Sequence, residues 1–158
     1  MREHIIKFIL RNELLSDFQH GFVDGRSCAT QLLQCMDAWT KILDRGSSLD
    51  AIYLDFDKAF DSVPHGRLIS KLRGYGITGS TLAWVEDFLR NRRQRVNING
   101  TVSDWCDVTS GVPQGSIIGP VLFVIYINDM PEVVSNMIQL FADDTKIFSQ
   151  ISSQEDHV

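Results

Sequence analysis

The sequence predicts an α+β fold, and three observations carry that expectation. Long segments in the first half of the chain repeat apolar residues at helical spacing, short apolar runs bounded by turn residues read as strands, and two pairs of such runs are joined by tight-turn residues. With 158 residues, 44% of them hydrophobic and 22% charged, the chain has the size and composition of one packed domain and not of a disordered tail.

Over residues 3–15, Ile5, Ile6, Ile9, Leu10 and Leu14 recur at helical spacing with Arg2, Lys7, Arg11 and Asn12 elsewhere on the wheel, so an amphipathic helix is expected. After a loop over 16–26, Ser27 is placed to cap a second helix carrying Ala29, Leu32, Met36, Trp39 and Leu43, which Gly46 should close. Ala51-Ile52-Tyr53-Leu54 lies between a Gly-Ser-Ser turn signal and Asp55 and reads as a buried central strand. Helices are expected over 65–73 and 80–91, separated by Gly74, Gly76 and Gly79. Residues 94–98 and 101–105 flank Asn99-Gly100, the dipeptide suited to a type I′ hairpin turn. A glycine-rich loop from Thr109 then leads into an apolar helix over 120–126 that Pro120 can start. Met137–Phe141 and Lys146–Phe148 read as strands around Ala142-Asp143-Asp144-Thr145, which puts two acids at a hairpin tip, and 151–158 is expected to be a polar, frayed end.

Several function classes are disfavoured at once. The richest apolar stretch, Ile117–Ile127, is broken by Gly119 and Pro120 and falls short of the roughly 20 residues needed to cross a bilayer. Charges at Arg2, Glu3 and Lys7 interrupt any secretory-signal core, so an intracellular protein is expected. Three cysteines without a C-x-x-C pair, Cys28, Cys35 and Cys106, fit neither a disulfide framework nor a zinc site and are expected as core thiols, the more so for Cys28 and Cys35, which stand two helical turns apart on one face. The net charge of −5 argues against a nucleic-acid partner, but Arg90, Arg92, Arg93 and Arg95 cluster, and distribution matters more than the sum.

The chemistry-bearing candidates are carboxylates. Asp55 ends a predicted strand, and Asp143 and Asp144 lie in a predicted hairpin turn; pairing of these elements would gather all three at one sheet edge. Two-metal phosphoryl or nucleotidyl transfer needs such hard oxygen ligands to hold ions roughly 3.5–4 Å apart. Taken singly, Asp-Asp is also ordinary turn chemistry and Asp55 an ordinary strand end.

Four motifs in order change that balance: QHGFVDGRS at 19–27, YLDFDKAFDSVPH at 53–65, GVPQGSIIGPVLFVIYINDMP at 111–131 and LFADDTKIF at 140–148. The sequence carrying them resembles the reverse transcriptase domain of non-LTR retrotransposons over nearly its whole length. The resemblance implies a polymerase palm, an antiparallel sheet backed by helices, with part of the fingers and no thumb. Residues 1–158 would be a partial domain, about 1–50 being fingers-side helices and about 51–150 mainly palm. It implies RNA-directed DNA polymerase activity, transferring a nucleotide from a dNTP to a primer 3′-OH on two Mg²⁺ ions, with Mn²⁺ as a substitute ion.

By the same resemblance Asp55 and Asp143 are the principal metal ligands and Asp144 the third carboxylate. Main-chain N–H groups from Phe56 to Phe60 would approach the triphosphate, Phe60 would be the steric gate against a ribose 2′-OH, and Gln114 and Gly115 would contact the incoming nucleotide. RNA template, DNA primer and dNTP are the implied partners, no membrane is, and cytoplasm and nucleus are the implied locations. The family's remaining finger motif would precede Met1 and its primer grip and thumb would follow Val158, so a piece of a longer polymerase is expected. A catalytically incompetent remnant that at most binds nucleic acid, and a metal-dependent nuclease, remain as alternatives. Phe60 is open to a core role, Arg26 and the Arg90–Arg95 cluster are open to either phosphate contact or structure, and His20 and His65 read as structural.

Overall fold

A computed structural model describes residues 1–152. In chain order the elements are α1 (Arg2–Arg11), α2 (Cys28–Asp44), β1 (Ser48–Leu54), α3 (His65–Gly74), α4 (Gly79–Leu89), β2 (Arg93–Gln94), β3 (Asn97–Ile98), β4 (Thr101–Val102), β5 (Cys106–Asp107), α5 (Gly119–Ile127), a 3₁₀ turn (Met130–Glu132), β6 (Met137–Phe141) and β7 (Asp144–Ile151). Helix and sheet are mixed, as expected. By packing the chain divides into two units: Met1–Leu14 with Lys58–Tyr126, and Leu15–Asp57 with the chain from Ile127 onward.

The second unit is a helix on a sheet. Its three strands run antiparallel in the order β1-β7-β6, and α2 packs against β1 and β6. Ser27 caps α2 through a reciprocal pair with Thr30, and Gly46 at φ +75° ends it, so both expected helix signals are realised. Gln31 and Cys35 of α2 are buried, and Trp39 meets Phe148 of β7 edge to face at 5.8 Å. Two expectations fail here. β1 is an edge strand whose residues are largely exposed, not a buried central one; β7 takes the centre, because an apolar run of four residues reports burial capacity and not position in a sheet. Cys28 and Cys106 are exposed and only Cys35 is buried: the buried stripe of α2 runs through Gln31, Cys35 and Ile42, and Cys28, at the first position of the helix, precedes it.

The first unit is mainly helical. Ile5 and Ile9 of α1, Leu68, Ile69 and Leu72 of α3, and Leu82, Val85 and Leu89 of α4 are buried at helical spacing. α5 is apolar around its whole circumference, with Val121–Ile125 all buried, the pattern of a helix with no solvent face. α1 stops at Arg11, short of the expected residue 15. Glu13 at φ +53° takes the left-handed position, and its N–H and that of Leu14 cap the Leu10 and Ile9 carbonyls.

The expected hairpin over 94–105 is present but interrupted. β3 and β4 pair around Asn99-Gly100, both at positive φ, while β2 and β5 pair one residue out of step, leaving three residues opposite Arg95 and Val96. That extra residue is a bulge, fastened by hydrogen bonds between Val96 and Ser103. Ile151, where the sequence predicts the start of a frayed end, is instead the last residue of β7, paired with Ser48 and buried; residues 153–158 lie outside the described residues. Among the described residues, no helix is long and apolar enough to cross a membrane.

Candidate active site

Register builds the first half of the site. In the β1–β7 ladder Leu54 faces Thr145, so the next residues outward, Asp55 and Asp144, leave neighbouring strand ends together. β7 turns from β6 through Ala142-Asp143, with Phe141 opposite Asp144. One end of the sheet therefore bears all three aspartates, with Asp55 and Asp144 exposed and Asp143 half-buried. Their side chains do not close up: among the described residues, no three His, Cys, Asp or Glu side chains are drawn together into a group able to hold a metal ion. Like charges at one sheet end repel, which favours spreading. The donor set itself suits a hard divalent cation, being carboxylate oxygens with no ion pair or side-chain hydrogen bond among the described residues.

Beyond Asp55 the chain leaves strand geometry. Phe56 is exposed, Lys58 takes φ +47°, and the N–H groups of Asp61 and Ser62 donate to the Lys58 carbonyl, which makes a turn over 57–62. Asp57 lies at the start of that turn.

The other named residues belong to the helical unit. The loop over 110–116 is laced to Phe60–Pro64: Val112 N–H donates to Phe60 O and Gly111 N–H to Val63 O, each at 2.8 Å, and Ser110 Oγ donates to Asp61 O at 2.8 Å. Glycine is required at 111, where φ is +87° and a Cβ would lie 2.7 Å from Asp61 Cα. The Gly111 carbonyl accepts from the Arg92 guanidinium and is bonded to His65 Nε2, both at 2.8 Å. Phe60 is half-buried and stacks on Phe123, centroids 4.2 Å apart. Gln114 is exposed with its amide 3.4 Å from Asp61 Oδ1, and Gly115, at φ +78°, faces open space.

The arginines have partners within the protein, although Arg90 and Arg93 keep most of their side chains exposed. Arg26 donates to the carbonyls of Ser16, Asp17 and Gln19 and pairs with the Asp17 carboxylate at 2.9 Å. Arg90 pairs with Glu86 and Arg93 with Asp107, and the guanidiniums of Arg93 and Arg95 lie over Trp105. Arg92 also bonds Leu89 O, and burial pushes its guanidinium below its ordinary value against the pull of Asp61. His20 is buried between Thr30 and Gln34 and His65 holds Gly111, structural positions for both.

Sequence reasoning assigned no role to Gln19 or Gly21. Gln19 Oε1 accepts the Ala142 N–H at 2.9 Å, and a Cβ at Gly21 would lie 2.2 Å from Ala142 N. No periodicity marks such residues; only the pairing of distant segments does.

Comparison with known proteins identifies the family of the sequence. "Probable RNA-directed DNA polymerase from transposon X-element" of Drosophila melanogaster is 28% identical over 145 residues, covering 89% of this chain and 16% of that protein. The fly's "Probable RNA-directed DNA polymerase from transposon BS" is 31% identical over 124 residues, 75% of this chain and 13% of that protein. Its "RNA-directed DNA polymerase from mobile element jockey" is 30% identical over 144 residues, 86% of this chain and 16% of that protein. The chain thus spans about a sixth or less of these relatives. The family model described as reverse transcriptase (RNA-dependent DNA polymerase) matches residues 1–158 from end to end, and the chain belongs to that family.

Proposed function

We propose that this chain is the catalytic segment of an RNA-directed DNA polymerase of a non-LTR retrotransposon, in which residues up to about 50 belong to the fingers and about 51–150, with the strands that bear the aspartates, mainly to the palm. The observation that carries the reading is the placement of Asp55, Asp143 and Asp144 at one end of an antiparallel sheet, in a chain of this family. Asp55 and Asp143, with Asp144, would hold two Mg²⁺ ions, or Mn²⁺ in their place. When bound, such ions lower the cost of deprotonating a primer 3′-OH and of releasing pyrophosphate.

The chain's own residues supply positioning. Phe56 and the main-chain N–H groups that follow it, at the start of a turn, suit a triphosphate. The ring of Phe60, backed by Phe123, suits a wall that admits deoxyribose and collides with a 2′-OH. Gln114 and Gly115 lie on an exposed loop whose base is fastened by Arg92 and His65, so a nucleotide could be met by a preset main chain. RNA template, DNA primer and dNTP are the substrates on this reading, and cytoplasm and nucleus the places of work.

Primer extension on an RNA template with Mg²⁺, by a longer protein containing this chain, tests the reading. Asp143→Asn should lower incorporation by at least about a thousandfold, as expected for loss of a group acting directly on the transition state. Full incorporation by that variant would overturn it.

A further inference from the structure

The turn that carries Asp143 is held from outside its own hairpin. Residues 18–20 run beside β6, with Leu140 N–H donating to Phe18 O at 2.9 Å and His20 N–H to Leu140 O at 2.8 Å. This alignment delivers the Gln19 side chain to the turn, where Oε1 accepts two main-chain donors, Gly21 N–H at 2.7 Å and Ala142 N–H at 2.9 Å. Two N–H donors on one atom identify that atom as the carbonyl oxygen. The other end, Nε2, is buried without a partner among the described residues, so the acceptor is the part of this amide that is used.

Ala142 needs that acceptor. It is buried and lies at φ +54°, a conformation that costs a non-glycine residue free energy, and its N–H points away from the β6–β7 ladder. A buried N–H left unpaired would be costly in itself. The brace is anchored in turn: the His20 ring is bonded to Thr30 Oγ1 and Gln34 Oε1 of α2, and Arg26 gathers three carbonyls of the same loop. Gly21 completes it, because any Cβ there would strike the Ala142 main chain.

We infer that Gln19 is a positioning residue for the aspartate turn: by holding the Ala142 N–H it sets the direction in which Asp143, the next residue, is presented to a divalent cation. The cation half of this statement rests on the proposed polymerase reading; the hydrogen-bond half does not.

Amide hydrogen exchange and Mn²⁺ binding to the 158-residue chain test the two halves. The Ala142 amide should be protected in the unaltered protein, and an exchange rate typical of an open turn would overturn the inference without any variant. Gln19→Met keeps the length and removes the acceptor; Gln19→Glu keeps the acceptor and replaces only the unpartnered amide nitrogen. The Met variant should lose Ala142 protection and bind Mn²⁺ at least about tenfold more weakly, the usual cost of removing a group that orients a metal ligand. The Glu variant should keep the protection and most of the affinity, which a purely packing role would not produce, since Met packs at least as well as Glu. Asp143→Asn is the reference. If it abolishes Mn²⁺ binding while Gln19→Met binds like the unaltered chain, the positioning role is overturned and the metal site stands. If Asp143→Asn binds Mn²⁺ unchanged, the metal-site reading itself falls.

Discussion

Two hairpins in this chain turn through two residues, and they solve the same backbone problem in opposite ways. At Asn99-Gly100 both residues adopt positive φ, +50° and +84°, with side chains suited to it, and only two residues pair on each side. Val96, Ile98 and Val102 beside that turn are exposed, so local chemistry bears most of the load. At Ala142-Asp143 the left-handed residue is an alanine, yet the ladder runs the length of β6 and buries Ile138, Leu140, Thr145 and Phe148. A turn made of ready residues stands almost unpacked. One set by its surroundings can give its positions to other uses, here a carboxylate.

The largest expected consequence is in thiol reactivity. Cys106, in β5 of the exposed hairpin, should react with an aromatic disulfide reagent at the rate of a free thiol, whereas Cys35, buried beneath the sheet, must wait for an opening. A ratio of about a thousandfold between single-cysteine variants is expected, equivalent to about 4 kcal/mol at 1.4 kcal/mol per decade. Burial also pushes the Cys35 thiol above its ordinary value of 9.0, with Lys146 opposing. The folded chain therefore holds that proton more tightly than the unfolded one. Stability is whole below pH 9.0 and declines as pH rises past it, and Cys35→Ala should remove that decline. Equal labelling rates would show the helix–sheet layer opening as easily as the exposed hairpin.

Glycine substitutions sharpen the contrast. Gly21→Ala forces a methyl to 2.2 Å from the Ala142 main chain and should destabilise by about 3 kcal/mol in urea denaturation. Gly100→Ala meets nothing within 4 Å and suffers only its φ of +84°, for about 1 kcal/mol. Similar losses at the two sites would mean that the Ala142 turn yields, and that bracing does not define it.

The same distinction separates what the sequence makes legible from what it hides. Ser27, Gly46 and Asn99-Gly100 act on residues within a few positions of themselves, so residue type alone predicts their geometry. The three aspartates are each legible as a strand end or a hairpin tip, which are local features too, whereas their place at one sheet end depends on the pairing of β1 with β7. The edge position of β1 is hidden, since nothing in Ala51–Leu54 says that β7 will pair on both sides. So are the partners of Arg26 and Arg92, which are main-chain carbonyls that have no sequence signature. Gln19 is hidden most deeply, its partner standing 123 residues away. Except at Arg26, whose partners lie within ten residues, the missing information is a long-range pairing and not a propensity.

Ala142→Gly is the smallest effect and the most discriminating. Glycine relieves the left-handed strain, worth about 1–2 kcal/mol. Against that, the unfolded chain gains freedom worth about 0.4–1 kcal/mol, and a methyl group buried in the native turn is lost, for about 0.8 kcal/mol. These terms nearly cancel, so a stability change within about 0.5 kcal/mol of zero is expected in urea denaturation, with the Ala142 amide still protected through Gln19. Stabilisation beyond about 1 kcal/mol would mean that strain dominates and that the brace merely tolerates it. Comparable destabilisation would assign the hold on the turn to the alanine methyl and not to the Gln19 carbonyl. Near-neutrality with protection retained is the outcome in which the hydrogen bond, indifferent to the side chain at 142, sets the turn that carries Asp143.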